Sequence, residues 1–217
     1  MKKKLLVNIQ NGLIMVGFSG LCYRQVIDCQ KYGEIQKSKK KMIDKYRIEN
    51  SEVLYTKDAI TKTAQSDVNY FKQLSSNNLR NRVRLCTHLS PDNSLHEMII
   101  VHGREAYVRP HMHPGKSEST HIIEGIVDVV VFDNTGGIES VIRMGDYSSG
   151  RTFYYRMAAP IFHSLIIRSD VLVFHEVTNG PFNRKDTVFA PWAPADNDSA
   201  AVSAFMSELS EKVANII

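Results

Sequence analysis

Between residues 97 and 177 the chain breaks into eight short runs, 97–101, 106–111, 119–123, 127–132, 139–143, 152–156, 163–167 and 171–177, each β-branched or alternating and each bounded by turn residues. Many short strands punctuated by turns restrict a chain to a sandwich, a barrel or a jelly roll. Asp133-Asn-Thr-Gly136-Gly137 is the clearest hairpin turn, and Arg168-Ser-Asp170 joins the last two runs. Helical spacing is confined to the flanks. Ser66 caps a short helix striped by Val68, Phe71 and Leu74, and Ser199 caps a second one carrying Val202, Phe205, Met206, Leu209 and Val213. The expectation is a mainly β barrel or jelly roll with flanking helices, the second helix docking on it. Trp192, in Ala-Pro-Trp-Ala-Pro, is expected to plug the barrel or to meet another subunit.

His111-Met-His113-Pro-Gly-Lys-Ser-Glu118, answered by His163, is the densest chemistry in the chain. On a strand, side chains alternate faces, so His111 and His113 point the same way and two ring nitrogens reach one ion. Glu118 follows a Pro-Gly turn and opens a β-branched run, read as the adjacent strand of a hairpin. Imidazole and carboxylate donors suit one divalent ion such as Fe, Mn, Ni or Zn, and argue against a thiolate site. Four protein ligands on an ion that accepts five or six leave room for water or substrate. Alternation from an inward Glu118 places Thr120, Ile122 and Glu124 on its face and turns His121 away. His175 and Glu176 lie on opposite faces of one strand, so only one of them looks into the barrel. Glu176, Glu124 and Tyr155 are the candidate proton-transferring groups. Tyr107, Arg109, Arg151 and Tyr154 are the candidates for binding an anionic or hydroxyl-rich ligand at the mouth.

These intervals resemble the first motif of the cupin superfamily, with His111, His113, Glu118 and Gly125 in step, while Glu105 stands where that motif opens on glycine. The second motif is represented by Arg156-Met-Ala158-Ala-Pro160-Ile-Phe-His163, with Ile167 at its asparagine position. More closely, Tyr107-Val-Arg-Pro-His-Met-His, Val173-Phe-His-Glu176-Val, Gly180-Pro181-Phe182 and Phe189-Ala-Pro-Trp-Ala-Pro194 resemble the WbuC family of cupin-fold metalloproteins, over residues 51–205. The resemblance implies a cupin jelly-roll (double-stranded β-helix) barrel, metal ligands at His111, His113, Glu118 and His163, and an inward acidic residue at Glu176. It also implies work on a sugar or nucleotide sugar in surface-polysaccharide (O-antigen) assembly. An iron-dependent oxygenase and a non-catalytic sugar-sensing module remain open beside a metal-dependent isomerase or epimerase.

The 217 residues, 43% of them hydrophobic, suffice for one substantial core. The boundaries read as a basic extension over 1–41, a lead-in over 42–90, the barrel over 91–182, and a Pro-rich arm and helix over 183–217. Residues 1–41 hold nine Lys or Arg against Asp28 and Glu34, a balance of +7, which leaves 18 against 21, or −3, for the remainder. The overall charge of +4 is therefore no nucleic-acid footprint of the folded part. Lys2-Lys3-Lys4 followed by Leu5-Leu6 and the 13–18 run has the outline of a signal peptide. Asn8, Gln10 and Asn11 interrupt it, and the uninterrupted apolar run falls short of the roughly twenty residues a membrane span needs. Residues 1–41 are read instead as a disordered tail or as sequence upstream of a natural start at Met42. Cys22, Cys29 and Cys86 form no CxxC and no disulfide framework, which fits a reducing cytoplasm. Exposed strand edges make a homodimer the expected assembly.

Overall fold

The computed structural model describes residues 5–10, 13–18, 27–28 and 44–216. Two compact units divide the chain, Met1–Lys45 and Tyr46–Ile217. In the first, β1 (Leu5–Gln10), β2 (Leu13–Phe18) and β3 (Ile27–Asp28) form an antiparallel sheet in that order. The lysines at 2–4 and 37–41 of the basic extension lie outside the described residues.

In the second unit β4 (Tyr46–Ile48), β5 (Val53–Thr56), β6 (Arg82–Cys86) and β7 (Leu95–Gly103) precede β8 (His111–Met112) and β9 (Glu118–Glu124). Then come β10 (Ile126–Phe132), β11 (Ile138–Gly145), β12 (Tyr154–Met157), β13 (Phe162–Ile167), β14 (Val171–Asn179) and β15 (Val188–Phe189). Helix α1 (Gln65–Ser76) separates β5 from β6, and α2 (Ser199–Ala214) closes the chain. Seven strands run β12-β9-β14-β7-β6-β5-β4 and five run β11-β10-β13-β8-β15. All pairs are antiparallel except β5 with β6, where α1 supplies the crossover that a parallel pair needs. The fold is a cupin-type jelly roll with flanking helices.

Its core lies between the two sheets. Met98, Ile100, Ile122, Leu172 and Phe174 of the larger sheet pack against Val127, Val129, Met144 and Ile167 of the smaller one. Strand β10 is apolar on both faces rather than alternating, because its other face is covered too. Val130, Phe132, Phe162 and Ile166 meet Ala190, Ala193, Leu209 and Val213 of the carboxy-terminal arm and α2. Asp128, buried in β10, is paired with Arg168 at 2.7 Å, and Arg168 donates onward to Ser210 of α2. On the far side of the larger sheet, α1 brings Phe71, fully buried, against Tyr46 with ring centroids 5.4 Å apart. No helix among the described residues is long and apolar enough to cross a membrane.

Several local expectations are corrected. Residues 106–110 form no strand: Ala190 donates its amide to Pro110 instead, so this backbone serves the arm and only His111–Met112 pair as β8. Strands β8 and β9 are not a hairpin, because the turn around Gly115, at φ +75°, carries the chain from one sheet to the other. The two helix caps fall one to two residues earlier than expected. Asp67 accepts the Ala64 amide at the start of α1, and Asp198 accepts that of Ala201 at the start of α2. Trp192 does not plug the barrel. It packs beside Phe132 (4.9 Å), Phe162 (6.1 Å) and Phe205 (6.3 Å), outside the smaller sheet.

Candidate metal centre

Four side chains converge from both sheets. His111 on β8 stands directly across from His163 on β13, with ring centroids 4.6 Å apart. His113, one residue past the end of β8, lies 4.8 Å from His111 and 6.2 Å from His163. Glu118 opens β9 on the opposing sheet, with Oε1 3.0 Å from His163 Nε2 and Oε2 3.6 Å from His113 Nε2.

The backbone fixes which nitrogen each ring presents. His111 Nδ1 lies 2.8 Å from the Arg109 carbonyl, His113 Nδ1 3.1 Å from that of Asp186, and His163 Nδ1 2.9 Å from that of Ile161. A carbonyl oxygen can only accept, so each Nδ1 carries a hydrogen and each Nε2 is turned toward the others. This is the outer support that metal-ligating histidines use to fix tautomer and ring angle. Burial and the neighbouring His163 and His113 push His111 down to about 3, so its Nε2 is a bare lone pair at neutral pH. Burial alone pulls the Glu118 carboxyl up, but the hydrogen bond and charge of His163, with His111 and His113 behind it, outweigh that and bring it to about 2. Conversely, burial lowers His163 and the Glu118 carboxylate more than reverses it. The two shifts run in opposite directions and have one cause, the contact between His163 Nε2 and Glu118 Oε1. Among the described residues no group of three or more His, Cys, Asp or Glu is already arranged to hold an ion; here Glu118 is closed onto His163. The donor set nevertheless fits a divalent cation: the buried His163 and the half-buried His111 and His113, each with an anchored Nδ1 and an inward Nε2, beside one buried carboxylate.

The four border a cavity of about 380 Å³ on the concave face of the larger sheet, within the range of small-ligand sites. Strand register sets its floor in rows. One row runs Tyr55, Cys86, Met98, Glu176, Thr120 and Tyr155 across six strands. The next runs Arg84, Ile100, Phe174 and Ile122. Glu176 looks inward. Burial and the Glu118 charge raise it to about 7. Tyr155 donates to Glu118 Oε1 at 3.3 Å, and its phenol is pushed well above its usual value by burial and by that carboxylate.

The other candidates are placed elsewhere. His175 and His121 face each other on the outer side, His175 with Nε2 3.8 Å from Glu97. Glu124 does not share the Glu118 face. A register shift between Val173 and Phe174 intervenes, and Glu124 pairs with Lys72 of α1 at 2.6 Å. Tyr107 donates to the Pro194 carbonyl, its phenol raised to about 12 by burial. Arg109 borders the cavity, but its guanidinium donates to the Ala190 and Ala193 carbonyls and lies 5.0 Å over the Phe189 ring. Both tie down the arm. Tyr154, 51% exposed, lies on the outer face opposite His121, and Arg151 does not border the cavity.

Residues not anticipated complete the walls. Asp186, whose carbonyl receives His113, is paired with Lys116 at 3.0 Å, and Thr187 Oγ1 lies 3.3 Å from the same His113 Nδ1. His88 and His96 stack with centroids 4.0 Å apart. Arg84, Cys86 and His102 line the far end. The alternation Arg82-Val-Arg-Leu-Cys86 carried the signal for that strand.

Residues 63–144 match a family model described as a domain of unknown function, DUF6016. No curated protein matches the chain. Among solved structures, the oxalate decarboxylase of Lactobacillus farciminis in complex with formate is 16% identical, with 45% of this chain and 27% of that one covered and a TM-score of 0.36. Oxalate decarboxylase of Bacillus subtilis, studied for its Mn(II) centres, is 17% identical over 45% and 24%, with a TM-score of 0.36. The Shewanella oneidensis protein SO0799 is 8% identical over 56% and 82%, with a TM-score of 0.45. The matched region spans about a quarter of the length of the two decarboxylases.

Proposed function

We propose that this barrel is a metal-dependent enzyme that isomerises or epimerises a sugar or nucleotide sugar of surface-polysaccharide assembly. The observation that carries the reading is the convergence of three Nε2 atoms, each set by a backbone carbonyl on its Nδ1, with one carboxylate beside a 380 Å³ cavity. His111, His113, His163 and Glu118 would hold the ion. When bound, a divalent Fe, Mn, Ni or Zn ion supplies Lewis acidity toward a substrate oxygen. The chain supplies the rest. Glu176, raised to about 7, exists in both protonation states near neutrality and can take or return a proton from the cavity floor. Tyr155 holds Glu118 in place through its phenol. The choice of a carbohydrate in polysaccharide assembly is supported by the resemblance of residues 51–205 to WbuC proteins.

Mass spectrometry of protein purified without an affinity tag tests the centre. One ion per chain is expected, falling below a tenth of that when His111 and His113 are both changed to Ala. Unchanged metal content in the double variant refutes the placement. Incubation with nucleotide sugars, followed by NMR of the products, tests turnover. Glu176→Gln should then lose turnover while keeping its metal.

A further inference from the structure

We infer that the cavity takes a sugar bearing an anionic group, with Arg84 receiving that group at the end away from the four convergent side chains. This rests on the preceding reading for which end of the ligand reacts. Arg84 projects from β6 toward the cavity, one row from Glu176 and two strands away. The other cations bordering the cavity are already engaged. Arg80 and Arg82 pair with Glu52 at 3.5 and 3.0 Å, and Arg80 also pairs with Asp196. Arg109 donates to carbonyls of the arm, and Lys116 pairs with Asp186. Among the described residues, the Arg84 guanidinium has no hydrogen bond and no ion pair. Tyr55, Cys86, His102 and Glu176 all stand near enough to feel its charge.

A second observation points the same way. His102, 8% exposed and bordering the same end of the cavity, has a buried Nδ1 without any partner. A buried polar atom left unpaired is destabilising, and a ligand hydroxyl would satisfy it. Ile100, Phe174 and Ile122 continue the Arg84 row across the floor as an apolar strip on which the face of a sugar ring can rest, and the row of Met98, Glu176 and Thr120 lies between that strip and Glu118. From Arg84 to Glu118 is three strand spacings, about 14 Å at roughly 4.8 Å each, and four residues along the strand, about 14 Å at roughly 3.4 Å each, so their backbones stand about 20 Å apart. Side chains reaching in from both ends leave a span suited to a monosaccharide rather than to a two-carbon acid. A guanidinium binds a carboxylate or a phosphate through the same paired N–H donors, so both are admitted.

The test is calorimetric titration of D-glucuronate, D-glucose 1-phosphate and D-glucose into metal-loaded and metal-stripped protein, wild type and Arg84→Gln. At least one anionic sugar should bind ten or more times more tightly than glucose, and Arg84→Gln should remove that preference in both metal states. Arg84→Lys should restore part of it. Which anion is preferred distinguishes a uronate from a sugar phosphate. Equal binding of all three, no saturable binding of any, or an Arg84→Gln variant that behaves as wild type overturns the inference. Because Arg84 is exposed and unpaired, its replacement should leave the circular dichroism spectrum unchanged. Arg84-dependent binding in protein that never holds metal removes the proposed function alone; stoichiometric metal without Arg84-dependent binding removes only this inference.

Discussion

Replacing His102 with Met should make the protein measurably more resistant to acid. In the folded chain, burial first, and then the charges of Arg82, Arg84 and Arg80, depress His102 to about 3. In the unfolded chain it titrates near 6.5. Between those values the unfolded state binds a proton that the folded state refuses, so stability is fully present above about pH 6.5 and is lost as pH falls toward 3. Each pH unit in that window is worth about 1.4 kcal/mol per group, so by pH 4.5 this one imidazole removes about 3 kcal/mol. That is a large part of the roughly 5–15 kcal/mol holding an ordinary domain together. Met keeps a comparable bulk against Phe174, whose ring lies 5.4 Å from His102, and has nothing to protonate. Urea unfolding of chelator-treated wild type and His102→Met, followed by circular dichroism from pH 7.5 to 4.5, is the assay. The stability difference between the two should move by about 3 kcal/mol in favour of the variant as pH falls. Parallel pH profiles would refute the account of His102 as a buried neutral imidazole.

Gly125→Ala should destabilise the barrel by about 2 kcal/mol or more, read as a lowered urea midpoint. The residue sits at φ +97°, and an added Cβ would come 2.4 Å from the Val171 carbonyl and 2.5 Å from Ser169 Oγ; an unchanged midpoint contradicts that geometry. Leu209→Ala opens a cavity where α2 meets the smaller sheet and should cost about 3 kcal/mol, with Trp192 fluorescence shifting red as its packing beside Phe205 loosens. A loss below 1 kcal/mol would mean that the helix does not anchor there.

The convergent histidines and Glu118 were legible because three of the four lie within eight residues, and short-range strand alternation carries most of their geometry. Which sheet holds Glu118 was not legible, since a Pro-Gly turn reads alike whether it closes a hairpin or crosses between layers. Glu124 followed the period-2 rule until the extra residue Ile123 just before it, and nothing in Ile122-Ile-Glu124 announces that offset. Tyr107 and Arg109 have the chemistry of ligand binders, but an arm about eighty residues downstream takes them up. Arg84 lay in a readable alternation. Its position at the end of the cavity away from the convergent histidines depends on a crossover through α1 that residue spacing does not encode. The run at 127–132 marked a strand; what covers its second face came from the far end of the chain.

His111, His113 and His163 come from the smaller sheet and its margin, and Glu118 from the larger one. An ion held by all four would therefore be a rivet through two layers whose shared core is apolar. Whatever loosens one sheet from the other also releases the ion, and whatever fills the site resists that separation, by about 4 kcal/mol when free metal stands a thousandfold above its dissociation constant. The melting temperature of such a barrel then doubles as a gauge of the divalent metal available around it.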